Sequence, residues 1–148
     1  MPQFVYSSVI EAPVERVFAF HESPDALERL LPPGGRVRVV SREGGLEKGA
    51  RVVLEMRLGP LRKRWVARHT EYVPDTLFAD VQESGPFRSW AHRHEFAAEG
   101  RNACRLTDRV EFSLPGGRLV DWLAGWAAKL ALRAMFCARH AATRRAVT

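Results

Sequence analysis

The sequence predicts an α+β fold: a curved antiparallel sheet of seven strands closed by one long C-terminal helix, with two short helices between the first and second strands. Three observations carry that expectation. From residue 36 to 114 apolar and polar residues alternate in runs separated by turn signals, the pattern of consecutive hairpins. After Pro115-Gly116-Gly117 the pattern changes to helical spacing and holds for about 30 residues, roughly 45 Å of helix. With 148 residues, 46% hydrophobic and 27% charged, the chain is long enough for one sizeable core and short for two, so residues 1–148 are expected to form a single domain.

The elements follow in order. Residues 3 to 10 are β-rich and stop at Ala12-Pro13, where proline suits the start of a helix. Val14, Val17 and Phe18 then recur at helical spacing, and the helix ends near His21. Ser23-Pro24-Asp25 restarts a helix with Leu27, Leu30 and Leu31 as its apolar positions, which Pro32-Pro33-Gly34-Gly35 stops. Turns at Glu43-Gly44-Gly45, Gly59-Pro60, Pro74-Asp75, Gly85-Pro86 and Gly100-Arg101-Asn102 divide the remainder into six strands. In the last helix, Leu119, Trp122, Leu123, Trp126, Leu130, Ala134 and Cys137 fall on one stripe, expected to cover the concave face of the sheet. Trp65, Trp90, Trp122 and Trp126 are all expected to face the interior.

Composition narrows the function. The formal net charge is +6, carried mostly by arginine, with Lys48, Lys63 and Lys129 the lysines. The basic residues are spread over nearly every segment, with local clusters only at Arg62-Lys63-Arg64 and Arg144-Arg145, and no nucleic-acid motif is present; no specific nucleic-acid partner is expected. Cys104 and Cys137 are too few for a disulfide scaffold and lack CxxC spacing, so they read as core residues in a reducing compartment. The N-terminus lacks the pattern of a secretory signal, and the most apolar stretch carries Asp121, Lys129 and Arg133, which a bilayer centre penalises. A cytoplasmic protein without a transmembrane segment is expected, with a homodimer compatible. GxSxG, Walker, GxGxxG and HExxH patterns are missing, so serine-hydrolase, nucleotide and zincin chemistry lack support.

Strand alternation identifies the polar residues that share the buried face. Trp65 and Ala67 put His69 with them, while Arg64 and Arg68 look outward. Phe78 brings Asp80 and Gln82, Trp90 and Phe96 bracket His92 and His94, and Cys104, Leu106, Val110 and Phe112 enclose Asp108. Such groups are costly to bury unless paired, so one reading is an internal hydrogen-bond network that fixes strand register. A second is a ligand cavity with aromatic walls and polar groups that orient a ligand's oxygen atoms. A third is acid–base catalysis by an Asp–His pair. His92 and His94, two apart on one strand, can also aim two imidazoles the same way, with His69 or an aspartate completing a metal set, but that spacing does not make the rings converge. No metal and no cofactor is assigned on it. His21 reads as a cap on its helix, and Arg139-His140 as a solvated or sheet-anchoring pair.

The runs PPGG at 32–35, FADVQESGPFRSWAHRHEF at 78–96, LTDRVEFSLPGG at 106–117 and MFCARHAAT at 135–143 resemble the START-like, or SRPBCC, helix-grip superfamily. The likeness is to its polyketide cyclase/dehydrase or coenzyme-Q-binding START type, and within it to a bacterial branch of ligand-binding proteins, some fused to a sugar-epimerase-like domain. It covers essentially the whole chain. It implies a seven-stranded sheet gripping the C-terminal helix, with a cavity between them for a hydrophobic small molecule such as an isoprenoid quinone, a lipid or an aromatic polyketide. Trp65, Asp80, Gln82, Trp90, His92, His94 and Asp108 match the branch's pattern, with no catalytic role to carry onto them. The expected ligand-binding set is therefore Trp65, His69, Asp80, Gln82, Trp90, His92, His94, Asp108, Trp122 and Trp126. The alternatives are a cyclase or dehydratase using His92 or His94 as base with Asp80 or Asp108, and a protein–protein interaction module using the outer sheet face.

Overall fold

In the computed structural model, which describes residues 2–32 and 34–148, the strands and helices occur in the expected order. They are β1 (Gln3–Ile10), α1 (Val14–Glu22), α2 (Ala26–Leu30), β2 (Val37–Glu43), β3 (Arg51–Leu58), β4 (Leu61–Val73), β5 (Leu77–Ser84), β6 (Ser89–Ala98), β7 (Cys104–Ser113) and α3 (Arg118–Val147). Pro33, read from the sequence as part of the stop after α2, lies outside the described residues.

All seven strands join one antiparallel sheet in the order β1-β7-β6-β5-β4-β3-β2. The hairpins keep β2 to β7 in chain order, and β1 is added at the free edge of β7. Register shifts in β2 between Val39 and Ser41, and along β4 at Val66/Ala67 and His69/Glu71, interrupt the ladders. Extra residues at such bulges bend a strand and sharpen its twist, which gives the sheet a concave face. On the other face, arginines pair with acids across the sheet, as in Arg109 with Glu95 on the adjacent strand and Arg93 with Glu71 two strands away. That cross-strand pairing accounts for much of the scattered positive charge.

Two apolar clusters fill the interior. One joins Ile10, Val17, Phe18, Phe78, Phe96, Leu106 and Val147; the other joins Phe4, Trp90, Val110, Phe112, Leu132 and Phe136. Gly116 and Gly117, at φ +104° and +81°, take the left-handed backbone that turns the chain from β7 into α3. Asp121 then secures the first turn of the helix: its carboxylate accepts from the Ser113 hydroxyl at 2.9 Å and the Leu114 N–H at 2.7 Å.

The rotation of α3 departs from the expected stripe. Its buried positions are Gly125, Leu132, Phe136, His140, Thr143 and Val147, whereas Leu119, Trp122, Leu123, Trp126 and Leu130 are exposed, Trp122 by 79%. Ala134 and Cys137 are exposed too, so Cys137 is no core residue, and only Trp65 and Trp90 of the four tryptophans point inward. Polar ties set this rotation: Asp121 bonds Ser113 and Leu114 at the first turn, and His140 bonds Asp108 and Ser8 further along. Leu132 and Phe136 on the same side join the second apolar cluster, and the Trp122–Trp126 stripe is left facing out.

This setting predicts opposite outcomes for two aromatic truncations. Phe136→Ala, at a fully buried position, should destabilise the protein by about 3–5 kcal/mol in denaturant unfolding. Trp122→Ala should change it by less than about 0.5 kcal/mol. A large loss for Trp122→Ala would show that this face is covered.

Candidate functional site

Along β6 the inward positions run Trp90, His92, His94, Phe96, and along β7 they run Leu106, Asp108, Val110. On α3 they run Phe136, His140, Val147. In each case a polar residue sits between members of the two apolar clusters. The register places His94 opposite Asp108 and His92 opposite Asp80, while His69 on β4 is opposite Asp80 from the other side. A polar band thus crosses four adjacent strands and reaches α3.

Asp108, 4% exposed, is its centre. One carboxylate oxygen meets His92 Nε2 at 2.8 Å and His94 Nδ1 at 3.0 Å; the other meets His140 Nε2 at 2.6 Å. Burial alone would raise its pKa, but the hydrogen bonds from His140, His92 and His94 outweigh that and hold it well below the usual carboxylate range. His140 Nδ1 in turn lies 2.6 Å from the Ser8 hydroxyl, which ties α3 to β1. Asp80 stands at the cavity side with its carboxylate 3.4 Å from His94 Nε2. Burial works against its ionised form too, but His94, with the fields of His92 and His69, keeps its pKa lowered. For His94 itself, burial is outweighed by bonds to both aspartates, so its pKa is raised. His92 goes the other way, lowered by burial and by the neighbouring His94.

The band forms part of the lining of a cavity of about 240 Å³. Ala26, Leu27, Leu30 and Leu31 close it from α2, Val52, Leu54 and Met56 from β3, and Met135 and Arg139 from α3. Contact with the long helix is thus in its C-terminal half. Trp65 and Trp90 meet edge to face at 5.0 Å in the wall. His69 is 8% exposed, its pKa is lowered by burial, and its Nδ1 is a buried polar atom without a hydrogen-bond partner among the described residues.

Six of the ten expected site residues line this cavity: Trp65, His69, Asp80, Trp90, His92 and His94. Asp108 lies behind the two histidines and orients them. Gln82 does something else: its side-chain amide bonds both the N–H and the carbonyl of Phe87, bracing the β5–β6 turn. Trp122 and Trp126 are on the outer face of α3, away from the cavity. His21 bonds the Val17 carbonyl one turn back at 2.8 Å, as a cap would, and also lines the cavity. His140 anchors the sheet, but Arg139 faces the cavity, where burial lowers its pKa. Of the other arginines in the lining, Arg42 bonds Glu28 and Arg51 bonds Glu83, whereas Arg139 has no carboxylate within 4.0 Å among the described residues. Sequence reading missed Arg139 and His140 as site residues because it chose the wrong face of α3; with Leu132, Phe136 and Thr143 they mark the packed one.

A sheet wrapped on a long helix with a lined cavity between them defines a START-like, helix-grip protein. The sequence matches the family described as polyketide cyclase/dehydrase and lipid transport over residues 10–138, and the chain belongs to that family. Among solved structures it is similar to a START superfamily protein from Mycobacterium smegmatis, with 12% identity, 98% of this chain and 96% of that one covered, and a TM-score of 0.70. It is similar to the Zhui aromatase/cyclase from Streptomyces sp. R1128, with 18% identity, 99% and 90% covered, and a TM-score of 0.66. A nucleoside-diphosphate sugar epimerase from Corynebacterium glutamicum is similar at 24% identity and a TM-score of 0.72, over 96% of this chain but 28% of the epimerase. No curated protein matches the sequence. At these identities the likenesses show the fold.

Two outcomes test the band. Asp108→Leu strands three buried imidazoles and should cost about 3–5 kcal/mol in unfolding free energy; a neutral result would mean that the imidazoles find other partners. Burial also pushes the His21 pKa from 6.5 down to about 4, so the unfolded chain binds that proton more readily than the folded one. Stability should therefore fall as pH drops from 6.5 toward 4, and His21→Leu should flatten part of that fall in pH-dependent melting.

Proposed function

We propose that the cavity binds a compact hydrophobic molecule with an oxygen-bearing polar head, of the quinone or aromatic-polyketide type, and that the domain acts as a carrier for it. The observation that supports this is the division of the lining. Leucines, Val52, Met56, Met135 and two tryptophans supply most of the lining, and His69, Asp80, His92, His94 and Arg139 add a small polar set to it. Pockets that bind small molecules combine an apolar body with a few placed polar groups. At about 240 Å³ the space suits one or two rings better than an extended acyl chain. The family description, which includes lipid transport as well as cyclase and dehydrase, agrees with a hydrophobic ligand. The unpaired thiols of Cys104 and Cys137 favour a reducing cytoplasm as its location.

Catalysis of a cyclisation or dehydration is the second reading, favoured by one observation: the Asp80 carboxylate and His94 stand side by side at the cavity surface. An interaction role or a homodimer would use the exposed stripe of α3 and not the outer sheet face, because the stripe holds five large apolar side chains in a row.

Native mass spectrometry of freshly purified protein, with thermal melting against quinones and aromatic polyketides, tests the carrier. Retained small-molecule mass or ligand-dependent stabilisation is expected, and Ala67→Phe, which fills the cavity, should abolish both. His69→Phe should weaken binding of polar-headed ligands at little cost to the fold, since its Nδ1 has no protein partner to strand. Stabilisation that survives Ala67→Phe places the ligand elsewhere, and none with any ligand rejects the proposal. If the protein is an enzyme, Asp80→Asn should bind normally yet turn over about 10² to 10⁴ times more slowly.

A further inference from the structure

We propose that Asp80, His92 and His94 form a site for a divalent first-row transition metal, with Asp108 as the outer carboxylate that aims both imidazoles. The inference goes beyond hydrophobic-ligand binding and stands or falls without it.

It starts from what Asp108 can do. An ionised carboxylate only accepts hydrogen bonds. The three ring nitrogens around it, His92 Nε2, His94 Nδ1 and His140 Nε2, must therefore each carry a hydrogen. In a neutral ring that leaves the other nitrogen a lone pair, and a metal at His94 Nε2 would take the place of any proton shared there with Asp80. His140 Nδ1 uses its lone pair to accept the Ser8 hydroxyl at 2.6 Å. His92 Nδ1 has no hydrogen-bond partner among the described residues, and His94 Nε2 faces Asp80.

Asp80, His92 and His94 come together as a candidate ligand set. Ligand atoms of Asp80, His92 and His94 all lie within 4.8 Å of one another, and the two imidazoles overlap with centroids 3.7 Å apart. The contact from His94 Nε2 to Asp80 is 3.4 Å, longer than the roughly 2.7–2.9 Å of a charge-assisted hydrogen bond. One proton on His94 satisfies a single pair of these groups, whereas a metal cation satisfies all three at once. Two imidazoles and a carboxylate are ligands suited to zinc, iron(II) or cobalt(II). A carboxylate that fixes the far nitrogen of a ligating histidine is the usual outer support of such sites.

The surroundings fit as well. All three residues are on the rigid central strands β5 and β6 and line the cavity, so open coordination positions would face a bound molecule. His69, the cross-strand neighbour of Asp80, lies outside the three-residue set and holds the buried, unpartnered Nδ1, a fourth nitrogen for the ion or its water. Of the arginines in the lining, Arg42 and Arg51 pair with Glu28 and Glu83, and Arg139 is offset by Asp80 in the lining with Asp108 behind it.

The test uses metal alone. Chelator-treated protein carrying Cys137→Ser, which removes the exposed thiol as a competing ligand, is titrated with Zn²⁺ and Co²⁺ by calorimetry and visible absorption, and melted with and without metal. About one equivalent should bind and raise the melting temperature. Asp80→Asn and His94→Gln should each weaken binding at least tenfold, comparable to or beyond the roughly 10–100-fold typical of losing an outer-shell partner. Because Asp80 makes a single long bond, Asp80→Asn should fold like the parent in the absence of metal, which its chelator-treated melting curve checks. No binding by the parent, or binding unchanged in Asp80→Asn, overturns the site. Neither result bears on whether an organic ligand occupies the cavity.

Discussion

A single buried carboxylate organises this molecule. Asp108 sits at 4% exposure on β7, between β1 and β6, where an unpaired charge would cost several kcal/mol, and it is stable there because three imidazoles converge on its two oxygens. Two of those rings come from the next strand and one from the long helix. The same set of bonds therefore fixes the register of β6 against β7 and the angular setting of α3 against the sheet. Through His140 and Ser8 it extends to β1. Nonpolar packing alone would leave a helix of 30 residues freer to rotate, since Leu, Phe and Ala contacts are tolerant of small shifts.

The polar band also decides where empty space can be. Apolar clusters fill both ends of the fold, and the histidines between them are held back against β6 and β7 by Asp108, leaving a gap beneath α2 that opposing side chains do not fill. Because α3 rests on β1, β7 and the short helices, strands β3 to β5 contribute wall without being covered by the helix. The cavity is thus a product of where the helix can lie.

Binding, catalysis and metal capture draw on the same few groups but ask different things of them. Binding needs an unfilled polar contact, which His69 offers. Proton transfer needs neighbouring groups of unequal proton affinity, which Asp80 and His94 supply with pKa values displaced in opposite senses. Metal capture needs a close set of nitrogen and oxygen ligands, which Asp80, His92 and His94 offer.

By itself the sequence determined the element order, the hairpin sheet and the inward sets on β4 to β7. Strand alternation has a period of two, and a tryptophan or phenylalanine on each strand marks its buried face, so His69, Asp80, His92, His94 and Asp108 could be grouped from local pattern. Only the tertiary structure decided the face of α3. Summed hydrophobicity chose the stripe with Trp122 and Trp126, but the Asp121 cap and the His140–Asp108 bond turn the other face, with Leu132 and Phe136, onto the sheet. With that face came His140, whose partners Asp108 and Ser8 are more than 30 positions away, and Arg139, which has no carboxylate within 4.0 Å among the described residues. Tertiary structure also separated Asp108, which orients, from Asp80, which is presented, and sent Gln82 to a turn. Alternation says which side of a sheet a residue is on, but not what fills the space above it.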